Sequence, residues 1–408
     1  MGASPRKARS SRARVAALAG LAALGFAAHA LAEPTVMSAP ALPAYGDPVT
    51  LQLSGMSMPV FLPGTRYTRT GSTIVVDYEY LSSQFGPFGP QFGDPGISLG
   101  ELPPGNYTVQ ARLIDMDHPA NAAFTTTSTI AVVPPQDWGL YVVPKQPAAN
   151  EVVSMLVRSA AYFDPSTLRA SVNGNTVRVD FTFRGSAPVV GGTAPAGFTS
   201  FASVPVGRLA PGVYHAEGWG TPDTGGDAQR YFTIDFTVAT TSVVSEFYQE
   251  QLDHYFMTAG PDEMDTLDAG GGGGGWKRTG QSFHAWLTKA DAPAGAVPVC
   301  RFYAAGPNSH FYTASASECS MLQALEQQQR ADADAHHVPF MGWSFENIAF
   351  YAIPATNGAC PAGTDPVWRV FNNRAAENDS NHRFTADARQ RIAMLGWADE
   401  GVAFCAPQ

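Results

Sequence analysis

The sequence predicts a multidomain chain: two all-β sandwiches followed by an α+β domain of three pseudo-symmetric repeats. Three observations predict it. Residues 40–240 alternate apolar and polar side chains between Gly- and Pro-rich turns, with no helical period. Two stretches within that region recur at offsets of 103 and 107 residues. Near the C-terminus, Gly-Trp occurs three times, and a Phe follows each Trp by seven residues.

The chain opens with Arg6, Lys7, Arg9, Arg12 and Arg14, then an apolar run ending in Ala30-Leu31-Ala32. A basic start, an apolar middle and a small-x-small end make a secretory signal peptide over 1–32, with an N-terminal membrane anchor as the alternative. Its removal leaves 20 Lys and Arg against 35 Asp and Glu, a net charge of −15. That balance argues against nucleic acid and anionic membranes, whose binding needs cationic side chains. No second apolar run is long enough to span a bilayer. With 45% hydrophobic and 15% charged residues, the rest reads as globular.

Residues 33–135 and 136–240 form the two sandwiches. "TIVVDYEY" (73–80) matches "TVRVDFTF" (176–183), and "LGELPPGNYTVQA" (99–111) matches "VGRLAPGVYHAEG" (206–218). Leu, Pro-Gly and then Tyr is a turn feeding a strand, with an aromatic ring at the corner. It resembles the late strands of immunoglobulin-like sandwiches, where a corner tyrosine bonds back to the backbone. Tyr107 and Tyr214 take that role. This resemblance implies an architecture of two immunoglobulin-like domains and no activity.

From residue 243 to 408 the pattern changes. "DHYFMT" (253–258), "SHFYT" (309–313) and "NHRFT" (381–385) read as one stretch written three times, which makes His254, His310 and His382 a single repeated position. "EFY", "RFY" and "RVF" lie upstream. Downstream, each stretch leads into a short helix with early acids and capping residues. Then come Gly-Trp and Phe: Trp276 with Phe283, Trp343 with Phe350, and Trp397 with Phe404. The His-to-Trp spacing varies through 22, 33 and 15 residues, and the first includes six glycines at 270–275. Fixed ends and variable loops are how repeated units behave. Each unit therefore reads as strand, strand, short helix, Trp-strand and aromatic strand. One unit is too small to bury its aromatics alone.

These stretches resemble a bacterial repeat domain of unknown function found at the C-terminus of secreted proteins, marked by "HFYT" and "GW-x-x-EG-x-x-F". Here "SHFYT", "DHYFMT", "NHRFT" and "GWADEGVAF" carry the resemblance over about two-fifths of the chain. The glycine run and the insert "EQQQRADADAHHVPFM" depart from it. The resemblance implies export and a modular tail, and it implies no reaction. Similar tails on cell-wall hydrolases imply, by analogy, surface binding.

Cys300, Cys319, Cys360 and Cys405 form an even set in an exported chain, which reads as two disulfides. Counted from the Thr of each stretch, the equivalents of Cys300 are Ser245 and Trp368, and those of Cys319 are Met264 and Arg391. Both cysteines are missing together from the first and third repeats. That favours Cys300–Cys319 with Cys360–Cys405 over the two other connectivities.

The function expected is that of an exported, non-catalytic protein, secreted or periplasmic, whose C-terminal domain binds a ligand. A cell-surface glycan, peptidoglycan or an extracellular protein is the expected partner. The alternatives are a hydrolase with its site between repeats and a purely structural surface protein. Candidate ligand-binding residues are His254, His310, Tyr312, His382, Trp276, Trp343 and Trp397. Each has a competing role as packing, which three internal copies favour. No hydrolase, zincin or phosphate-loop motif is present, and no cofactor or metal is expected. "DMDHP" (115–119) and "DAHHVP" (334–339) are weak metal candidates, because such loops are mostly solvated.

Overall fold

The computed structural model describes residues 34–54, 60–61, 64–81, 96–185, 194–394 and 396–408. The expected signal peptide lies outside them. Strands dominate, in several sheets. No helix among the described residues is long and apolar enough to cross a membrane.

The first eight strands are β1 (Thr35–Ala39), β2 (Pro48–Ser54), β3 (Val60–Phe61), β4 (Arg66–Thr70), β5 (Thr73–Leu81), β6 (Ile97–Glu101), β7 (Gly105–Asp115) and β8 (Phe124–Val132). Order β1-β2-β6 makes one sheet, and β4-β5-β7-β8 are successive neighbours in a second, which runs on beyond β4 into strands of the C-terminal part. Alternation in β7 turns Tyr107, Val109, Ala111 and Leu113 inward, where they meet Val49, Leu51 and Ile74 in one apolar core.

Six strands follow: β9 (Gly139–Val143), β10 (Val153–Asn173), β11 (Thr176–Phe183), β12 (Thr199–Gly207), β13 (Gly212–Pro222) and β14 (Gln229–Val238). The first part of β10 pairs with β9 and β12. From Phe163 onward β10 pairs with β11, across a register break between Asp164 and Arg169. A second core gathers Leu140, Met155, Val157, Val177, Tyr214 and Phe236, among others, with Met155 fully buried.

The matched stretches have matched structure. Thr73 pairs with Thr108 as Thr176 pairs with His215. Tyr107 Oη donates to Pro103 O at 2.6 Å, and Tyr214 Oη donates to Ala210 O at 3.0 Å. One feature departs from an immunoglobulin-like topology, whose sheets are antiparallel: β5 runs parallel to β7, and β11 runs parallel to β13. Between β5 and β7 the chain crosses to the opposite sheet as β6, so β7 starts from the same end as β5.

Among the described residues, the C-terminal part holds nine strands and three α-helices in three units. Unit 1 is β15 (Ser242–Gln249), β16 (His254–Thr258), α1 (Pro261–Asp268) and β17 (Trp276–Ala285). Unit 2 is β18 (Val297–Ala304), β19 (Ser309–Thr313), α2 (Ala316–His336) and β20 (Trp343–Ala352). Unit 3 is β21 (Thr364–Phe371), β22 (His382–Thr385), α3 (Ala388–Ala393) and β23 (Ala398–Pro407). In each unit the first strand is central. Ser245 pairs with Thr258, Cys300 with Thr313, and Trp368 with Thr385.

Two details differ from the expectation. Trp and Phe share one long strand in units 1 and 2, and a register break between them puts both to use in packing. The helices are unequal, with α2 reaching 21 residues. The seven-residue spacing has a plain purpose. Phe283, Phe350 and Phe404 converge, their ring centres 5.6–5.8 Å apart. The disulfides are Cys300–Cys319 and Cys360–Cys405.

Both N-terminal bodies dock on unit 1. Asn150 Nδ2 donates to Val243 O and Ala259 O, each at 2.8 Å, and Arg208 grips Asp265 at 2.8 and 2.7 Å. On the other side Tyr67 pairs with Arg278. Gly280 lies so close to β6 that a Cβ there would stand 2.9 Å from Ser98 O.

Candidate functional site

Apart from Tyr312, the candidate residues occupy the crevices between units and the end where the hairpin turns gather. Between units 1 and 2, the ring of His310 lies 4.6 Å from Phe256 and 5.0 Å from Tyr303. Between units 2 and 3, His382 lies 4.8 Å from Phe311 and 4.6 Å from Phe371. In each crevice the imidazole Nε2 is 3.5 Å from a carboxylate, Glu346 or Glu400. That separation is too long for a strong hydrogen bond.

Burial pushes the His310 imidazole down to about 3, with Arg301 and then His254 adding to the fall. Burial, followed by Arg369, does the same to His382, also to about 3. Both rings are therefore neutral near pH 7, and they pack between aromatic faces. Below the usual histidine value of about 6.5 the unfolded chain takes up protons that the folded rings refuse. Stability should thus fall as the pH drops from about 6.5 toward 3, by at most about 1.4 kcal/mol per pH unit per ring. Urea midpoints measured across that range should fall less steeply for His310→Phe with His382→Phe. An unchanged slope would reject this role.

His254 is a different position. The backbone ladder aligns Tyr255, and not His254, with His310 and His382. The repeated-histidine expectation is corrected accordingly: "DHYFMT" holds one extra residue between His and Thr. His254 is buried where the turns of the three hairpins meet. Its Nδ1 lies 2.9 Å from Asn308 O, and its Nε2 lies 2.9 Å from Asp379 Oδ1. Arg374 Nε reaches Asp379 at 2.9 Å, Tyr248 Oη donates to Asp253 at 2.9 Å, and Asn381 Nδ2 donates to Asp253 O at 2.8 Å. Asp253 and Asn308 turn the chain with φ of 59° and 53°, which Asp and Asn tolerate better than most residues. These bonds tie the three turns together.

Tyr312 belongs to the interior. Its hydroxyl donates to Met257 O at 2.6 Å, and its ring meets Phe384 edge-on at 5.5 Å. The tryptophans are half-buried, each at or just before the start of its unit's third strand and beside the hairpin end. Trp276 leans on Phe256, Trp343 on Phe311, and Trp397 on Tyr255 of unit 1. Trp276 Nε1 also donates to Gly272 O at 3.0 Å. The glycine run that supplies this carbonyl folds over the indole, with five of its six residues at positive φ.

The seven candidates therefore do not converge on one site. Two crevices hold a histidine each, His254 closes the hairpin end, and Tyr312 is core. Sequence reading missed the guanidinium groups that complete the crevices. Arg301 lies over Phe256 and pairs with Glu263 and Glu346. Arg369 lies over Phe311 and pairs with Glu318 and Glu400. Their signal was present in "RFY" and "RVF", but the carboxylates lie on other elements.

Among the described residues, no group of three or more His, Cys, Asp and Glu is placed to hold a metal. In "DMDHP", His118 bonds Asp115 at the surface, and in "DAHHVP" His336 bonds its own helix backbone at Asp332 O. A surface groove of about 310 Å³ beside the end of α2, floored by Phe340 and Met341, contains none of the candidates.

No curated protein and no solved structure matches the chain. One family profile does, described as Domain of unknown function (DUF5648), over residues 214–329 and 243–407. Residues 214–407, which hold both crevices and the hairpin end, thus carry a domain of unknown function (DUF5648).

Proposed function

We propose that the protein is an exported, non-catalytic binding protein. Its two sandwich bodies, immunoglobulin-like in size and tyrosine corner, act as spacers or adhesive modules. Its C-terminal part is a pseudo-threefold repeat that binds a glycan or cell-wall material outside the cytoplasm. One observation carries the binding reading: each unit presents a half-buried tryptophan near its hairpin end. A ring with one apolar side packed and the rest accessible suits ligands that offer flat apolar faces and polar rims. Two disulfides support an oxidising compartment.

The test is binding of the oxidised chain from Glu33 onward to purified peptidoglycan and to a glycan array. Saturable binding is expected, and Trp343→Ala should weaken it by about 2 kcal/mol, roughly thirtyfold, with the fold intact. No binding by the intact chain would end the glycan reading.

A further inference from the structure

Four positions recur at each contact between neighbouring units: two counted from the strand Thr, one counted from the Trp, and one paired across the ladder with the residue before that Thr. From unit 1 to unit 2 they are Phe256 and Glu263 against Arg301 and Glu346. The Arg301 guanidinium stands 5.4 Å from the Phe256 ring centre and 2.8 Å from each carboxylate. From unit 2 to unit 3 they are Phe311 and Glu318 against Arg369 and Glu400. The corresponding distances are 5.0 Å to the ring, then 3.2 and 2.7 Å to the carboxylates.

From unit 3 back to unit 1 the chemistry is exchanged. Arg383 stands in the place of Phe, Gln390 in that of the helix Glu, Glu246 in that of Arg, and Thr279 in that of the strand Glu. Arg383 binds Glu246 through Nε at 2.9 Å and Nη2 at 2.8 Å. Gln390 Oε1 accepts from Arg383 Nη1 at 3.1 Å, and Thr279 Oγ1 donates to Glu246 Oε1 at 2.8 Å. All four are at most 5% exposed.

We infer that this exchange is a recognition code that admits only unit 1 as the partner of unit 3 when the three units assemble. Any other pairing of these faces is mismatched. The unit 3 face set against unit 2 would bury Arg383 and Arg301 around the single carboxylate of Glu346, because Gln390 supplies none. The unit 1 face set against Phe256 and Glu263 would bury Glu246 beside a ring and a second carboxylate. A buried charge without its partner is strongly destabilising, and wrong pairings are rejected by such costs. The other two contacts are alike, so nothing in their chemistry separates them. The exchanged contact supplies the order. This inference does not depend on the ligand proposed above.

The experiment makes all three contacts alike. The chain from Glu33 carries Glu246→Arg, Thr279→Glu, Arg383→Phe and Gln390→Glu together. Unfolded at high concentration and refolded oxidised, it is sized by light scattering beside the parent. A face that fits several partners makes head-to-tail contacts that need not close. The oligomer-to-monomer ratio should rise about tenfold or more over the parent's. A ratio equal to the parent's would overturn the inference. If this variant does not fold, co-refolding of Glu246→Arg chains with Arg383→Glu chains decides. Each alone buries like charges at the closing contact, whereas two different chains that exchange a unit satisfy both contacts. A 1:1 dimer formed only in the mixture supports the code, and its absence overturns it.

Discussion

Arg66→Ala should loosen the first β-body and its hold on unit 1, at a cost of about 3–5 kcal/mol. Arg66 is 1% exposed and belongs to a balanced network. Its Nη1 meets Glu79 at 2.5 Å, its Nη2 meets Glu250 at 2.6 Å, and its Nε lies 3.5 Å from Asp77. Asp77 is also bound by Arg112 at 2.6 Å and by Lys277 at 2.9 Å. Removing the guanidinium takes from the buried Glu79 carboxylate the cation that stands 2.5 Å away. Asp77 keeps two others. Amide hydrogen exchange should report the loss first in β4, β5 and β17. Glu79→Gln in the Arg66→Ala background should recover part of it, since that buried side chain then carries no charge. Glu250→Gln alone should cost far less, because that carboxylate is 40% exposed. A cost for Arg66→Ala below about 1 kcal/mol would place this network among surface pairs.

Phe404→Ala should destabilise the C-terminal part by a similar amount, about 3–5 kcal/mol. Phe404 is fully buried and touches a ring from each other unit, Phe283 at 5.7 Å and Phe350 at 5.6 Å. It also stacks on Phe384 at 6.1 Å. Truncation leaves a cavity that three units line and no single one can close. Phe404→Leu should recover most of the loss, because it keeps more of the volume. Urea unfolding checks both. A cost under about 1.5 kcal/mol for the Ala variant would mean that the three rings do not hold the units together.

Much of this was legible beforehand because it rests on spacing along the chain. Alternation sets which face of β7 is buried. A Pro-Gly turn places Tyr107 and Tyr214 where each hydroxyl meets a carbonyl four residues back. The Trp-to-Phe interval brings Phe283, Phe350 and Phe404 together. The joint absence of two cysteines from two repeats pointed to the Cys300–Cys319 bridge. Covalent distance and one periodicity suffice for each of these.

The histidines show the opposite limit. Three similar stretches suggested one repeated position, yet the ladder sets His254 one step apart, because the partner strand defines register and a string of letters does not. The parallel pairing of β5 with β7 depends on the chain crossing to the other sheet between them. Arg383 and Glu246 are 137 residues apart, and Arg66 and Glu250 are 184 apart. Nothing local marks such pairs, since a charged residue reads the same whether its partner is water or a distant carboxylate. By itself the sequence determined strands, corners and the spacing of the repeated stretches, and it favoured one cysteine pairing over two others. Tertiary structure alone decided which charges are buried, which histidines correspond and which unit closes on which, because burial and long-range electrostatics are properties of the assembled fold.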